Sequence, residues 1–118
     1  MRLFHITTRA DADAAAASGT YTPAAFAREG FIHCSYDTQV VGTANRLFHG
    51  RDDLVLLEID RDALTCPVID ENLEGGQVLY PHVYGVLPMS AVAAVHPFPC
   101  DGDGRFDLPA AVRTSSTA

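Results

Sequence analysis

Apolar positions along this chain switch between a period of two and a helical period. Residues 2–7 and 31–35 alternate as half-buried strands do, and these two segments are predicted to be strands. Residues 54–59 are almost entirely apolar, which predicts a central strand covered on both faces. Further extended segments are predicted at residues 67–72, 78–85 and 91–96.

Helical signals lie between these strands. Thr8 is suited to cap a short alanine-rich helix over residues 10–17. A second short helix is predicted over residues 22–30, with proline at its first position and glycine at its end. Apolar residues spaced at a helical period over residues 40–48 predict an amphipathic helix that Gly50 ends.

Helices alternate with strands early in the chain, whereas strands dominate later. Because the second half lacks long crossover helices, we predict an α+β domain with a curved, mostly antiparallel sheet rather than a doubly wound one. A single globular domain is expected over residues 1–98. Residues 99–118 are rich in Pro, Gly, Asp, Ser and Thr, and they are predicted to form a disordered tail.

Composition narrows the possible partners. The net charge is −7 across 118 residues. That balance argues against a general nucleic-acid binder, which needs a basic face to neutralise phosphates. All eight basic residues are arginine, which excludes a Walker-type or Schiff-base lysine. A small anionic ligand remains compatible with the sequence if a few arginines cluster locally.

The cysteines and the N-terminal segment indicate the cellular compartment in which the protein is expected. Cys34, Cys66 and Cys100 are an odd, widely spaced set without a C-x-x-C pair. The start of the chain lacks the apolar core of a secretory signal, and no apolar run approaches the roughly 20 residues of a membrane helix. We therefore expect a reduced, cytoplasmic protein that makes no membrane contact.

Two histidines indicate a ligand cleft. His5 and Thr7 are predicted to share one face of the first strand, and His33 and Ser35 share one face of the second. A histidine in the middle of a strand must find hydrogen-bond partners or lose free energy. Two imidazole–hydroxyl pairs on neighbouring strands predict the wall of a cleft. Arg9, at the end of the first strand, is placed to reach a phosphate at its mouth.

A third cluster lies in the segment Tyr80-Pro-His-Val-Tyr-Gly85. Either His82 or Tyr84 could close the cleft and present an aromatic face to a flat ring, although simple aromatic packing is the alternative. Glu71 is the preferred candidate for a catalytic acid, because it ends a short strand beside a glycine-containing loop. Glu58 in the central strand is the rival candidate.

Other side chains receive more ordinary interpretations. Zinc could bind to His5, His33 and His82, but no local spacing such as H-x-x-x-H supports that site. Cys34 points to the opposite face from His33, so a nucleophilic Cys–His pair is not expected and a buried, inert thiol is. Arg46 lies away from the centre of its helix's apolar stripe and is predicted to be solvated.

The motifs that contain these residues resemble a known family. The strings His5-Ile-Thr-Thr, Glu29-Gly-Phe-Ile-His33-Cys-Ser, Leu54-Val-Leu-Leu-Glu-Ile-Asp60 and Pro81-His-Val-Tyr-Gly85 match, in order and spacing, the small bacterial domain-of-unknown-function family 952. The resemblance covers residues 2–98, and the family name supplies no activity.

A more distant resemblance concerns the RNA 2′-phosphotransferases of the ADP-ribosyltransferase-like superfamily. His33-Cys-Ser, a helix ending in His49-Gly50 and an apolar strand that closes at Asp60 are similar to strings of those enzymes. The resemblance implies a split sheet with NAD, as a substrate, in the cleft between its halves. The acidic balance of this chain does not favour RNA as the substrate.

The same resemblance implies roles for particular residues. His5 with Thr7 matches the position that contacts a ribose of NAD, and His33 matches a residue beside the nicotinamide ribose. The position of a third residue, which orients the nucleophile, stays open among Glu71, His82 and Tyr84. Two functions remain open: an enzyme that uses NAD for ADP-ribosyl transfer or cleaves it, and a non-catalytic module that binds a small ligand.

Overall fold

A computed structural model describes residues 2–115, and for residues 114 and 115 it describes the backbone alone. The strands are β1 (Arg2–Thr8), β2 (Thr20–Tyr21), β3 (Ile32–His33), β4 (Leu54–Asp60), β5 (Val68–Glu71), β6 (Tyr80–Val83), β7 (Leu87–Pro88) and β8 (Val92–Pro97). The α-helices are α1 (Arg9–Ser18), α2 (Phe26–Glu29), α3 (Val40–Leu47) and α4 (Ala110–Ser115), and single 3-10 turns occupy Arg61–Ala63 and Met89–Ala91.

Strand pairing is antiparallel throughout the described chain, which confirms the predicted α+β class with a mostly antiparallel sheet. One three-stranded sheet has the order β1-β4-β8, a second has the order β3-β6-β5, and β2 pairs with β7. The two larger sheets meet at a single bridge between Phe4 and Ser35, in which both N–H···O distances are 2.8 Å. Beyond that bridge the sheets separate.

β4 forms the centre of the protein, as its apolar run predicted. All of its residues from Leu54 to Ile59 are buried. On one face of the sheet, Val55 and Leu57 pack with Leu3 and with the buried alanines of α1. On the other face, Leu54 and Leu56 belong to a cluster with Phe4 and residues of α3. Two apolar clusters on opposite faces of one sheet explain why β4 carries no alternation.

The helix boundaries follow local signals. Thr8 caps α1 by accepting a hydrogen bond from the Asp11 N–H at 3.1 Å, and Gly19 ends it with φ of 91°. Gly30 ends α2 in the same left-handed conformation (φ 81°) and turns the chain into β3. Within residues 2–115, none of the helices has both the length and the apolar character that crossing a bilayer requires.

The segment after β8 differs from the predicted disordered tail. Phe98, Phe106 and Val112 are each at most 5% exposed, and the rings of Phe98 and Phe106 stack with centroids 4.8 Å apart. Asn45 of α3 fixes this segment by accepting from the Phe106 N–H at 2.7 Å. The segment is held by a few large apolar residues that are dispersed among polar ones. The prediction relied on the average composition of the segment, which hides these residues. Residues 116–118 of the predicted tail lie outside the described residues.

Candidate functional site

A cavity of about 340 Å³ opens where the two three-stranded sheets separate. Its walls come from β1, from α2 and β3, from α3, and from β5 and β6 with the loop that follows β5. The volume is at the lower end of the roughly 300–1,000 Å³ typical of ligand pockets. The cavity therefore suits a molecule of about nucleoside size.

Strand register directs one face of the β3-β6-β5 sheet into this cavity. His33 pairs directly with His82, and Glu71 pairs with Tyr80. Because directly opposed residues share a face, these four side chains point the same way. All four line the cavity together with Phe31, which precedes β3. The opposite face, with Ile32 and Val83, is in the core.

Glu71 is the centre of a small hydrogen-bonded group. His82 Nδ1 lies 2.9 Å from Glu71 Oε2, and the Tyr84 hydroxyl donates to the same oxygen. These two hydrogen bonds, that from Tyr84 first, hold the pKa of Glu71 below its ordinary value, so the carboxylate is ionised at neutral pH. Glu71 Oε1 makes no hydrogen bond with any described residue, and Glu71 lines the cavity.

His82 is held in one orientation by this carboxylate. Its Nδ1 donates to Glu71, so in the neutral imidazole Nε2 carries the free lone pair. Among the described residues, Thr43 Oγ1 is the one side-chain nitrogen or oxygen that is both shielded from solvent and unpartnered. His82 Nε2 also makes no hydrogen bond with a described residue, but it is not shielded from solvent in this way. It is therefore accessible from the cavity and can accept a proton. A carboxylate that orients an imidazole is the arrangement of a general base.

An aromatic wall stands beside this pair. Phe31 stacks on His82, with ring centroids 4.3 Å apart and 22° between the planes, and meets the His33 ring edge-on at 4.7 Å. The side chain of His33 is 50% exposed, and its Nε2 lies 3.1 Å from Glu29 Oε1. The half-exposed imidazole offers a positioned flat face to a ligand ring.

His5 and Thr7 share a face of β1 as predicted, but both are tied into the protein interior. His5 Nδ1 lies 2.5 Å from the His33 carbonyl oxygen, and its Nε2 lies 2.8 Å from the Tyr21 hydroxyl. That hydroxyl is 3.0 Å from Thr7 Oγ1. His5 contributes to the cavity wall with both ring nitrogens engaged, and Thr7 lies outside the lining.

Burial determines the protonation of His5. Desolvation lowers its pKa from 6.5 to about 4, so the ring is neutral at pH 7 and holds one proton. Because a carbonyl oxygen can only accept, that proton is on Nδ1, and Nε2 accepts from the hydroxyl of Tyr21. His5 thereby joins β1 to β3 just beyond the point where backbone pairing stops.

Backbone groups of β1 are left unpaired beside the Phe4–Ser35 bridge. Phe4 directs its N–H and C=O toward Ser35, and along a strand these groups return to the same side every second residue. The N–H and C=O of Ile6 therefore point toward the cavity, which Ile6 lines. Within residues 2–115 neither group has a hydrogen-bond partner on that side.

The remaining predicted residues divide between the cavity and other places. Ser35 lines the cavity, whereas Arg9 is exposed at the start of α1 and lies outside the lining. Tyr84 lies outside the lining and supports it by donating to Glu71 and by packing its ring against Phe31, with centroids 5.2 Å apart. The rival acid Glu58 is outside the cavity, with Oε1 2.7 Å from His96 Nε2 and 3.6 Å from Arg2.

Three lining or supporting residues were not predicted as functional. Tyr21 is not among the predicted site residues, although its hydroxyl joins His5 to Thr7. Thr43 and Arg46 both line the cavity from α3. Their spacing of three residues places them on one helix face, but helical periodicity alone does not show that this face borders a cavity.

The metal and thiol alternatives find no support in the geometry. Within residues 2–115 no group of three His, Cys, Asp or Glu side chains could hold a metal ion. Both nitrogens of His5 are already engaged, which removes one of the three predicted zinc ligands. Burial raises the pKa of the Cys34 thiol, in agreement with an inert residue.

Comparison with known proteins places the chain among uncharacterised relatives. The sequence model of a family described as "Protein of unknown function (DUF952)" matches residues 6–95. No curated protein matches the chain. A crystal structure of protein CC0527 from Caulobacter crescentus is similar, with TM-score 0.81, 34% identity and coverage of 92% of this chain and 95% of that one. A solution NMR structure of CC0527 gives TM-score 0.78 at 34% identity, covering 88% of this chain and 90% of that one.

Proposed function

The chain belongs to the DUF952 family, and we propose that it binds a nucleotide of the NAD type and cleaves the bond between its nicotinamide ring and ribose. The acceptor is water or a hydroxyl group, which gives NAD hydrolysis or ADP-ribosyl transfer. One observation carries the proposal: an ionised Glu71 and an oriented His82 face the same small cavity beside an aromatic wall. The ADP-ribosyltransferase-like assignment is part of this proposal.

The ring of the ligand has a matching surface. The exposed face of His33 suits contact with a flat heterocycle. A carboxamide substituent carries one hydrogen-bond acceptor and two donor hydrogens, and Ile6 presents one backbone N–H and one C=O at the split between the sheets. Nicotinamide combines a flat ring with a carboxamide, which supports this class of ligand.

Glu71 supplies the negative charge that the reaction needs. Breaking the ring–ribose bond develops oxocarbenium character at the ribose carbon. A carboxylate fixed beside the ribose stabilises such a charge. Two donors hold Glu71 Oε2, so the unpartnered Oε1 is free to face the ribose without reorganisation.

His82 completes the proton balance. As the bond between the ribose carbon and the ring nitrogen breaks, its electron pair returns to the nicotinamide ring, which leaves as a neutral molecule. The oxygen of water or of an acceptor hydroxyl forms the new bond to the ribose carbon. Its proton passes to the lone pair on His82 Nε2, while Glu71 holds the opposite side of the imidazole.

A non-catalytic binding module is the second candidate, and one observation favours it. The resemblance implies that His5 and Thr7 contact a ribose, but the Tyr21 hydroxyl and the His33 carbonyl already occupy their polar atoms. A ligand bound in the cavity would meet the carbon edge of His5 instead. If this second candidate is right, the protein binds NAD but does not release nicotinamide from it.

Calorimetric titration with NAD, followed by chromatographic measurement of nicotinamide release, tests both candidates. We expect binding, and we expect Glu71→Gln to slow release on the order of 100-fold while the dissociation constant changes little. Asp13→Asn, which removes an exposed carboxylate from α1, is the charge-matched control. Binding without release in the unaltered protein would establish the module. Failure to bind NAD at millimolar concentration would overturn the proposal.

A further inference from the structure

One helix contributes all the positive charge of the cavity wall. Of the arginines within residues 2–115, Arg46 alone lines the cavity, and its side chain is exposed. It forms no ion pair and no hydrogen bond with any described residue. The other charged lining residues apart from histidines are the carboxylates Glu29, Glu71 and Glu74, which come from different elements. A negatively charged ligand group therefore has one favourable place, beside α3.

Thr43 lies one turn before Arg46 on the same face of α3 and also lines the cavity. Its hydroxyl oxygen is shielded from solvent and has no hydrogen-bond partner. A helical threonine ordinarily avoids this state by bonding the carbonyl one turn back. An unpartnered buried hydroxyl is unfavourable, and no hydrogen bond holds it in this orientation. Rotation about the Thr43 Cα–Cβ bond would turn the hydroxyl toward the cavity, where a ligand oxygen would satisfy it.

We propose that Thr43 and Arg46 form a phosphate subsite, so that the ligand is a nucleotide whose ribose phosphate is held against α3. This inference rests on the proposed function, which places the ring of the same ligand against His33. Arg46 provides the fork of donors that suits two phosphate oxygens, and the Thr43 hydroxyl, once turned toward the cavity, donates to a third. The cavity volume of about 340 Å³ accommodates one nucleotide unit.

The net charge of the protein disfavours binding of a phosphorylated ligand, so a preference for such a ligand would point to a local phosphate site. At a net charge of −7, the chain as a whole repels a phosphate. A phosphorylated ligand that binds more tightly than its nucleoside must therefore find a local cation and local donors. The exposed apolar side chains of Leu47 and Leu73 lie at the rim of the cavity, where the rest of a dinucleotide would leave it.

The test compares nicotinamide riboside with nicotinamide mononucleotide, which differ in the phosphate alone, by calorimetric titration. We expect the mononucleotide to bind at least tenfold more tightly, and we expect Arg46→Gln to remove that preference. Arg28→Gln removes the same charge from an exposed side chain of α2 outside the lining, and it should keep the preference. Thr43→Val should reduce the preference about threefold while riboside binding is kept.

The outcomes separate this inference from the proposed function. Equal binding of the two compounds would overturn the phosphate subsite and leave the proposed function standing. If neither compound binds, titration with inorganic phosphate, followed by NMR of the Thr43 and Arg46 amides, decides the matter. Shifts that Arg46→Gln abolishes would support the subsite and reject the nicotinamide ligand, and an absence of shifts would reject both.

Discussion

His82 Nδ1 lies 2.9 Å from Glu71 Oε2, across the β5–β6 pair and diagonal to the direct register. Tyr84, two residues after His82, donates to the same oxygen. One antiparallel strand pair thus brings together three polar side chains that the sequence had offered as alternatives for a single position. They form one group, in which Glu71 is ionised and His82 is oriented.

The first prediction concerns the Tyr84 hydrogen bond. Tyr84→Phe should raise the pKa of Glu71 toward its ordinary value of 4.5, because the hydroxyl is the largest cause of the lowered pKa. Carbon-detected NMR titration of the Glu71 carboxyl measures this change. Tyr80→Phe, whose hydroxyl forms no hydrogen bond with a described residue, should leave the titration unchanged. An unaltered Glu71 titration in Tyr84→Phe would contradict the assignment.

The same variant has a pH-dependent effect on stability. A carboxyl group whose pKa is lowered in the folded state stabilises the protein above the unfolded pKa, and the stabilisation is lost as pH falls through the folded pKa. The difference in free energy of unfolding between the unaltered protein and Tyr84→Phe should therefore be full at pH 7. It should shrink as the pH drops below about 4.5. Urea denaturation at several pH values follows this difference.

The second prediction concerns His5. Its pKa is about 4 in the folded protein and 6.5 when exposed, so between these values the unfolded chain binds a proton that the folded chain does not. Stability should fall by about 3 kcal/mol from this group as the pH drops from 7 to 4. His5→Asn, which retains a donor for the His33 carbonyl, should lose this slope in urea denaturation. The exposed His49→Asn should keep it.

The third prediction concerns Thr43 in the absence of ligand. Thr43→Val preserves the shape of the side chain and removes a shielded hydroxyl that has no partner. Because an unsatisfied buried polar group costs about 1–3 kcal/mol, we expect the free energy of unfolding to rise by about 1 kcal/mol. Thermal and urea denaturation measure the change. Destabilisation would show that the hydroxyl is satisfied within the folded protein.

The fourth prediction concerns the segment after β8. Phe106 is 5% exposed and stacks on Phe98, so Phe106→Ala should lower the free energy of unfolding by about 3 kcal/mol. Arg105→Ala changes an exposed neighbour and should have an effect within about 0.5 kcal/mol. Urea denaturation compares the two variants. Equal, small effects would restore the prediction of a disordered tail.

Local signals in the sequence were sufficient for most elements. The Thr8 cap, the glycines that end α1 and α2, and the fully apolar run of β4 are properties of a few neighbouring residues, and the structure confirms them. The prediction of a disordered tail over residues 99–118 failed because the packing of this segment depends on non-local contacts. Phe106 and Val112 reach the core through contacts with residues far away in the chain, which composition does not record.

The functional site shows the same division. Alternation along a strand placed His5 with Thr7 and His33 with Phe31 correctly. The sequence could not show that Tyr21 occupies the polar atoms of His5 and Thr7, because that contact joins β1 to β2 across α1. It equally could not show that Arg46 lines a cavity, since the periodicity of a helix identifies its buried face and leaves the polar rim undetermined.

The sequence by itself determined which residues share a face, where α1 and α2 end, and which strand is central, because these follow from steric periods and from local capping residues. Tertiary structure alone decided that both ring nitrogens of His5 are bonded within the protein, while Glu71, His82 and Arg46 line one cavity. The reason is physical: the cavity exists where β1 separates from the β3 segment beyond the isolated Phe4–Ser35 bridge, and that separation is set by packing between distant segments.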